Sequence, residues 1–366
     1  MSCDLIQLAT PGVAGLQPYH PGKPVSELER ELGITDIVKL ASNENPLGSG
    51  KKVRALFGEL PDISRYPDGN GHALKMKLAQ LHTVDPDCIT LGNGSNDVLE
   101  LIARAVVSSH HEVIFSAHAF AIYPLIVQAI GARAIETPVR DWGSDLEAMV
   151  AAMTENTRLV LIANPNNPTG TWSGKSDLYH LLERTPDQVV VVVDEAYFDY
   201  VLEPDYPDTT QWLDKFSNLV VTRTFSKAYG LAGLRVGYAL CHPDLADLMN
   251  RVRQPFNVNT VAQLAAETAL DDQEHIKKSV EANASGYQQL ITAFDSMGLH
   301  YIPSVANFIC VDMQQSGTQI YQQLLKKGVI VRPVENYGMP EHLRVTIGLK
   351  HENEKFITAL ADILSS

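Results

Sequence analysis

Between residues 90 and 255 the chain alternates short apolar runs with helical patterns. After Gly92-Asn93-Gly94-Ser95-Asn96-Asp97, apolar residues fall at Val98, Leu101, Ile102, Ala105 and Val106. That is the i, i+3, i+4, i+7, i+8 spacing of an amphipathic helix. Strands are predicted at 112–116, 158–163, 189–193, 219–222 and 236–240, and helical patterns such as 175–184 separate most of them. The run at 189–193 is five consecutive valines, the signature of a strand buried on both faces. Such alternation predicts βαβ units and a largely parallel sheet covered by helices, an α/β fold.

Beyond about residue 255 the pattern changes. Helical stretches are predicted at 260–270 and 273–297, followed by a strand-like 306–312 and a helix near 318–327. Strands near 329–332 and 342–348 and a last helix from Glu352 complete a smaller α+β unit. The Pro/Gly-rich start, with Pro18-Tyr19-His20-Pro21-Gly22-Lys23-Pro24, reads as an arm plus a short helix. The expected division is a large domain over 41–255 and a small one combining 1–40 with 256–366. No internal repeat or low-complexity tract interrupts it.

Composition narrows the class. With 366 residues, 45% hydrophobic and 20% charged, the chain is long enough for about two domains and is not disordered, collagen-like or a disulfide scaffold. A net charge of −14 argues against a general nucleic-acid binder. Met1-Ser2-Cys3-Asp4 shows no basic segment leading into an apolar run, and the five-valine stretch is far below the roughly 18 residues of a membrane span. Cys3, Cys88, Cys241 and Cys310 are scattered without metal spacing, which suits a reducing cytoplasm. His110-His111 has no recognisable third ligand, so no metal is expected.

The unusual polar residues follow the ends of strands. Asn164-Pro165-Asn166-Asn167-Pro168-Thr169-Gly170 follows one, Asp194-Glu195-Ala196-Tyr197 the next, and Arg223-Thr224-Phe225-Ser226-Lys227 the third. In open α/β sheets ligands bind at the carboxyl ends of strands, so three such motifs on one rim define a site. Singly each has a plain structural reading: a turn, a helix cap, a surface lysine. Gly92–Gly94 lacks the third glycine of a dinucleotide fingerprint.

In this order the motifs resemble those of the fold-type I pyridoxal-phosphate aminotransferases, and within them the branch acting on histidinol phosphate. Asn43-Glu44-Asn45-Pro46-Leu47-Gly48, Arg65-Tyr66-Pro67-Asp68-Gly69, the 224–235 stretch ending in Arg235, and Pro255-Phe256-Asn257-Val258-Asn259 extend the likeness over about residues 17–360. The resemblance implies pyridoxal 5'-phosphate as cofactor, with Lys227 as the amine that bonds its aldehyde and moves a proton. Asp194 would hold the ring nitrogen protonated, Asn167 and Tyr197 would donate to the phenolate oxygen, and Phe120 would cover the ring. Ser95 and Asn96 at a helix N-terminus, with Thr224, Ser226 and Arg235, would hold the phosphate. Tyr66 would reach the phosphate of a partner subunit, which implies a homodimer. Arg344 would take the substrate anion, assisted by Arg332 and Tyr19.

The implied reaction converts L-histidinol phosphate and 2-oxoglutarate to imidazole-acetol phosphate and glutamate, a step of histidine biosynthesis. The alternatives within the same fold are an aromatic-amino-acid transaminase and a decarboxylase of a phosphorylated amino acid. One departure stands out. Where many relatives have Pro-Thr before the stacking aromatic, this chain has Ala117-His118-Ala119, and His118 is expected to pack locally or to make a modest pocket contact.

Overall fold

The strand Val190–Asp194 shows how a covered sheet arises from the valine run. Val191 and Val193 enter one hydrophobic cluster, with Val160, Ile162, Leu219 and Val221. Val190 and Val192 enter another, with Leu159, Leu161, Val113 and Phe115. Successive side chains point to opposite faces, so a strand packed on both sides must be apolar at every position. Helices His72–His82, Lys175–Arg184 and Thr260–Leu270 cover the first face; Ser95–Val106 and Pro243–Val252 cover the second.

The computed structural model describes residues 5–19, 21–58 and 62–365; Cys3 and His20, named above, lie outside the described residues. Seven strands form the main sheet in the spatial order Ile89–Gly92, Gly237–Cys241, Leu219–Thr224, Val190–Asp194, Thr157–Ala163, Glu112–Ser116 and Arg133–Thr137. The last five pair in parallel, while Gly237–Cys241 runs antiparallel to both of its neighbours. The sheet is therefore largely parallel, as the alternation predicts, with one reversed strand. That reversal matters for the site. Gly237 sits opposite Thr224, so the chain between them doubles back over the carboxyl rim, carrying Ser226, Lys227 and Arg235 with it.

A four-stranded antiparallel sheet follows in the order Tyr301–Ile302, Phe308–Asp312, His342–Thr346, Arg332–Pro333. Helices Gln273–Met297, Gly317–Lys326 and Lys350–Leu364 bury Leu290, Phe294, Leu324, Phe356 and Leu360 against Ile309, Val311, Leu343 and Val345. The single strand expected near 329–332 is split in two. Val329–Ile330 pairs with Val38–Lys39, and Arg332–Pro333 takes the edge beside His342–Thr346, where a proline without an amide hydrogen is tolerated.

Candidate active site

A cavity of about 280 Å³ opens at the carboxyl rim of the main sheet, between it and the four-stranded sheet. Lys227, Asp194, Tyr197, Ser95, Asn96, Phe120, Asn167, Thr224, Ser226, Arg235, Tyr19, Arg332 and Arg344 all line it. Of the site residues expected from the sequence only Tyr66 is elsewhere. It is 82% exposed and stacks on Phe256 with ring centroids 4.6 Å apart.

At one end the polar groups suit a phosphate. Helix Ser95–Val106 presents its first turn to the cavity, where free backbone N–H groups and the helix dipole favour an anion. Arg235 Nη1 lies 3.4 Å from Ser226 Oγ, and the Thr224 hydroxyl accepts the Ser226 N–H at 3.1 Å. The close packing explains Gly94, whose φ is +86° and where a Cβ would stand 2.4 Å from Arg235 Nη2. Arg235 itself holds φ +57°, a strained conformation for a residue with a side chain.

In the middle, Lys227 Nζ donates to the Ser42 carbonyl at 3.2 Å. Burial and the neighbouring Arg344 lower its pKa to about 7, with Arg235 adding to the effect against the pull of Glu44 and Asp194. Across the cavity Asp194 is 4% exposed; its carboxylate accepts the Thr222 hydroxyl at 3.0 Å and the Tyr123 hydroxyl at 3.3 Å. Burial raises its pKa to about 6, and those two hydrogen bonds hold it from rising further. A buried carboxylate facing a site is what a protonated pyridine nitrogen requires. Phe120 lines the same wall, with Tyr123 edge-on to it at 5.9 Å.

At the far end Arg344 donates from Nη1 to Asn167 Oδ1 at 2.5 Å and from Nη2 to the Ala41 carbonyl at 2.7 Å. Among the described residues its buried Nε has no acceptor, an orphan donor that a bound anion would satisfy. Arg332 stands over the Tyr19 ring at 5.6 Å. An amine free near neutral pH, a buried carboxylate, a flat wall and two separate cationic ends fit a phosphorylated pyridine aldehyde with a second anion beside it.

A family model described as aminotransferase class I and II matches residues 35–360. The chain belongs to the class I and II aminotransferases. Among its relatives, histidinol-phosphate aminotransferase 1 of Nitrosococcus oceani is 55% identical over 359 residues, covering 98% of this chain and 97% of the relative. Histidinol-phosphate aminotransferase 2 of Pseudomonas aeruginosa is 54% identical over 365 residues, 99% of each. The crystal structure of histidinol-phosphate aminotransferase from Sinorhizobium meliloti in complex with pyridoxal-5'-phosphate superposes with a TM-score of 0.89 at 29% identity, covering 97% of each chain.

Several residues that shape this aminotransferase's site carry no role in the sequence reading. Asn43 donates from Nδ2 to the Tyr197 hydroxyl at 2.9 Å, and Tyr123 and Thr222 hold Asp194. The Asn43-Glu44-Asn45-Pro46 stretch is a recognisable motif, yet its contacts reach residues far away in the chain. Glu195 turns away from Asp194 and takes Arg223 from both Nε (3.0 Å) and Nη2 (2.7 Å) and the Thr209 hydroxyl at 2.6 Å. That buried pair locks the ends of the two strands bearing Asp194 and Thr224. His118 bonds through Nδ1 to the Tyr337 carbonyl at 2.5 Å and lies beside Trp142; it is off the lining of this cavity but lines a neighbouring one that also touches Tyr19 and Arg332.

Proposed function

We propose that this aminotransferase is a cytoplasmic, homodimeric histidinol-phosphate transaminase that works by a ping-pong cycle. It would convert L-histidinol phosphate and 2-oxoglutarate to imidazole-acetol phosphate and glutamate, a step of histidine biosynthesis. The observation that carries the reading is Lys227, an amine held by a carbonyl rather than a carboxylate, opposite a buried Asp194. The full-length likeness to histidinol-phosphate aminotransferases supports the choice of substrate.

Pyridoxal phosphate, when bound, supplies an aldehyde that captures an amino group and a ring that takes up the electrons of a broken Cα–H bond. Ser95, Asn96, Thr224, Ser226 and Arg235 would hold its phosphate, and Asp194 its ring nitrogen. Asn167 and Tyr197 would hold its phenolate oxygen and Phe120 its ring face. Lys227, whose amine burial and Arg344 bring toward neutrality near pH 7, would bond the aldehyde and afterwards carry the proton between carbons. Arg344, with Arg332 and Tyr19, would take the phosphate of one substrate and the carboxylate of the other in turn, since a guanidinium fork suits both anions.

The exposed Tyr66–Phe256 pair supports a homodimer in which the partner's Tyr66 reaches this phosphate end. The separate hydrophobic clusters of the two large sheets support two domains, but the expected boundary at 255 moves beyond Leu270, because Val258, Ala262, Ala265, Ala266 and Ala269 pack in the main-sheet cluster. Among the described residues Cys88, Cys241 and Cys310 are free thiols, in keeping with a reducing compartment, and no helix is long and apolar enough to cross a membrane. Half-reactions with histidinol phosphate, tyrosine and phenylalanine test the substrate. Turnover of the aromatic amino acids alone would overturn the assignment.

A further inference from the structure

A tyrosine hydroxyl both donates and accepts, and which way it faces decides what it offers a ligand. The Tyr197 oxygen accepts from Asn43 Nδ2 at 2.9 Å, and among the described residues no acceptor takes its proton. The orientation of the Asn43 amide is set by Thr346. Thr346 Oγ1 accepts the Asn43 backbone N–H at 2.9 Å and donates its own proton to Asn43 Oδ1 at 3.1 Å. Turning the amide over would leave the Thr346 proton without that acceptor and set two N–H donors on one hydroxyl oxygen. It would also aim the amide oxygen at Tyr197 and draw the phenol proton out of the cavity.

The backbone is fixed as well. The Asn43 carbonyl accepts from Asn307 Nδ2 at 3.0 Å, and Asn43 holds φ +55°, a conformation that asparagine tolerates better than most residues. Asn43, Thr346 and Tyr197 are all buried, so water does not compete for these bonds. Thr346 lies two residues after Arg344 on the same strand, which ties the direction of this hydroxyl to the anion end of the cavity.

We propose that Asn43 and Thr346 are positioning residues that fix the direction of the Tyr197 hydroxyl, keeping its proton aimed into the cavity as a donor to an anionic oxygen of the bound cofactor. The inference rests on the transaminase reading above. A donated hydrogen bond favours the deprotonated, charged form of that oxygen system.

The test is a pH titration of the visible absorbance of the protein loaded with pyridoxal phosphate, which reads protonation of the bound cofactor rather than turnover. Asn43→Asp offers Tyr197 only acceptors, and Thr346→Val frees the amide to turn. Both should raise the titration midpoint by about one pH unit, the equivalent of a hydrogen bond to a charged group. Asn43→Gly, uncharged and at ease with positive φ, should shift it in the same direction by less, and Thr346→Ser, which keeps the hydroxyl, should leave it in place. In a Tyr197→Phe background the Thr346→Val and Asn43→Gly shifts should vanish. Shifts undiminished in that background, or a Thr346→Ser effect equal to that of Thr346→Val, would overturn the proposal. An unaltered protein with no visible band at all would sink the transaminase reading, and this inference with it.

Discussion

Lys227 Nζ bonds to the Ser42 carbonyl at 3.2 Å, and among the described residues no carboxylate stands within ion-pair distance of it. A carbonyl orients an amine without supplying the negative charge that would stabilise its protonated form. With Arg344 and Arg235 nearby, the neutral amine is accessible at physiological pH.

In cofactor-free protein, an amine-directed label should therefore modify Lys227 with a midpoint near pH 7. A lysine pKa lowered by burial leaves the nucleophilic form in the majority above that value, so labelling rises as pH rises through it. Solvated lysines should need a pH near their ordinary value of about 10.4. Peptide mapping of labelled protein across pH 5–10 checks this, and Lys227 labelling in step with the surface lysines would contradict it. Lys227→Ala should abolish repeated turnover while leaving noncovalent cofactor binding measurable.

Asp194→Asn removes the charge proposed to stabilise a protonated ring nitrogen. Turnover should fall by about two to three orders of magnitude, a size typical of lost electrostatic stabilisation, with cofactor affinity much less affected. The variant also has a pH signature in the cofactor-free state. The carboxyl pKa is raised by burial to about 6, so the folded protein holds this proton more tightly than the unfolded chain. The stability conferred by proton binding is complete below the unfolded value of 3.8 and is lost as pH rises to 6. An asparagine side chain has no such loss, so thermal unfolding at pH 4 and pH 7 should show the variant gaining on the parent at the higher pH, by on the order of 3 kcal/mol at most.

Arg344→Lys keeps the charge and loses the fork. The Michaelis constants for both the amino donor and the 2-oxo acid should rise by about tenfold to a hundredfold, because one arginine is proposed to serve both anions. Kinetics with each substrate varied separately check the point; a rise for one substrate alone would assign the other anion to a different residue.

Glu195 and Arg223 are held behind Asp194 as a buried pair with a second link from Arg223 to Asp208 at 2.7 Å. Glu195→Ala leaves the buried guanidinium with Asp208 as its remaining carboxylate and should destabilise by less than the about 3–5 kcal/mol of a fully broken buried pair, visible in chemical denaturation. Glu195→Gln keeps an acceptor for the Thr209 hydroxyl and should cost less.

The shared-site reading makes a separate demand. Neither Lys227→Ala nor Tyr66→Phe alone supports full activity if both act in the site, yet mixed dimers of the two variants contain one site with Lys227 and the partner's Tyr66 intact. Mixing should recover activity above the sum of the separate variants. A mixture no more active than that sum would place Tyr66 outside the partner's site.

Much of this was legible in the chain because local pattern and tertiary role agree. The predicted 112–116, 260–270 and 273–297 match Glu112–Ser116, Thr260–Leu270 and Gln273–Met297, each with a clear period and flanking punctuation. The strands Ile89–Gly92 and Arg133–Thr137 are not among the predicted ones: the first is only four residues, and the second is a half-exposed edge carrying Arg133 and Glu136. The direction of Gly237–Cys241 depends on where the chain returns after Lys227, which no short-range pattern reports. Motif residues at strand ends could be placed on one rim. The hold of Thr346 on Asn43 spans 303 positions, and hydrogen bonds between such distant residues leave no periodic trace.

The visible spectrum of the purified, cofactor-loaded protein before and after L-histidinol phosphate decides which amino donor this site accepts. The band of the cofactor bound on Lys227 should give way to that of its aminated form, and 2-oxoglutarate should then restore it. A band that ignores histidinol phosphate but responds to glutamate and phenylalanine would contradict the assignment and make this protein an aromatic-amino-acid transaminase.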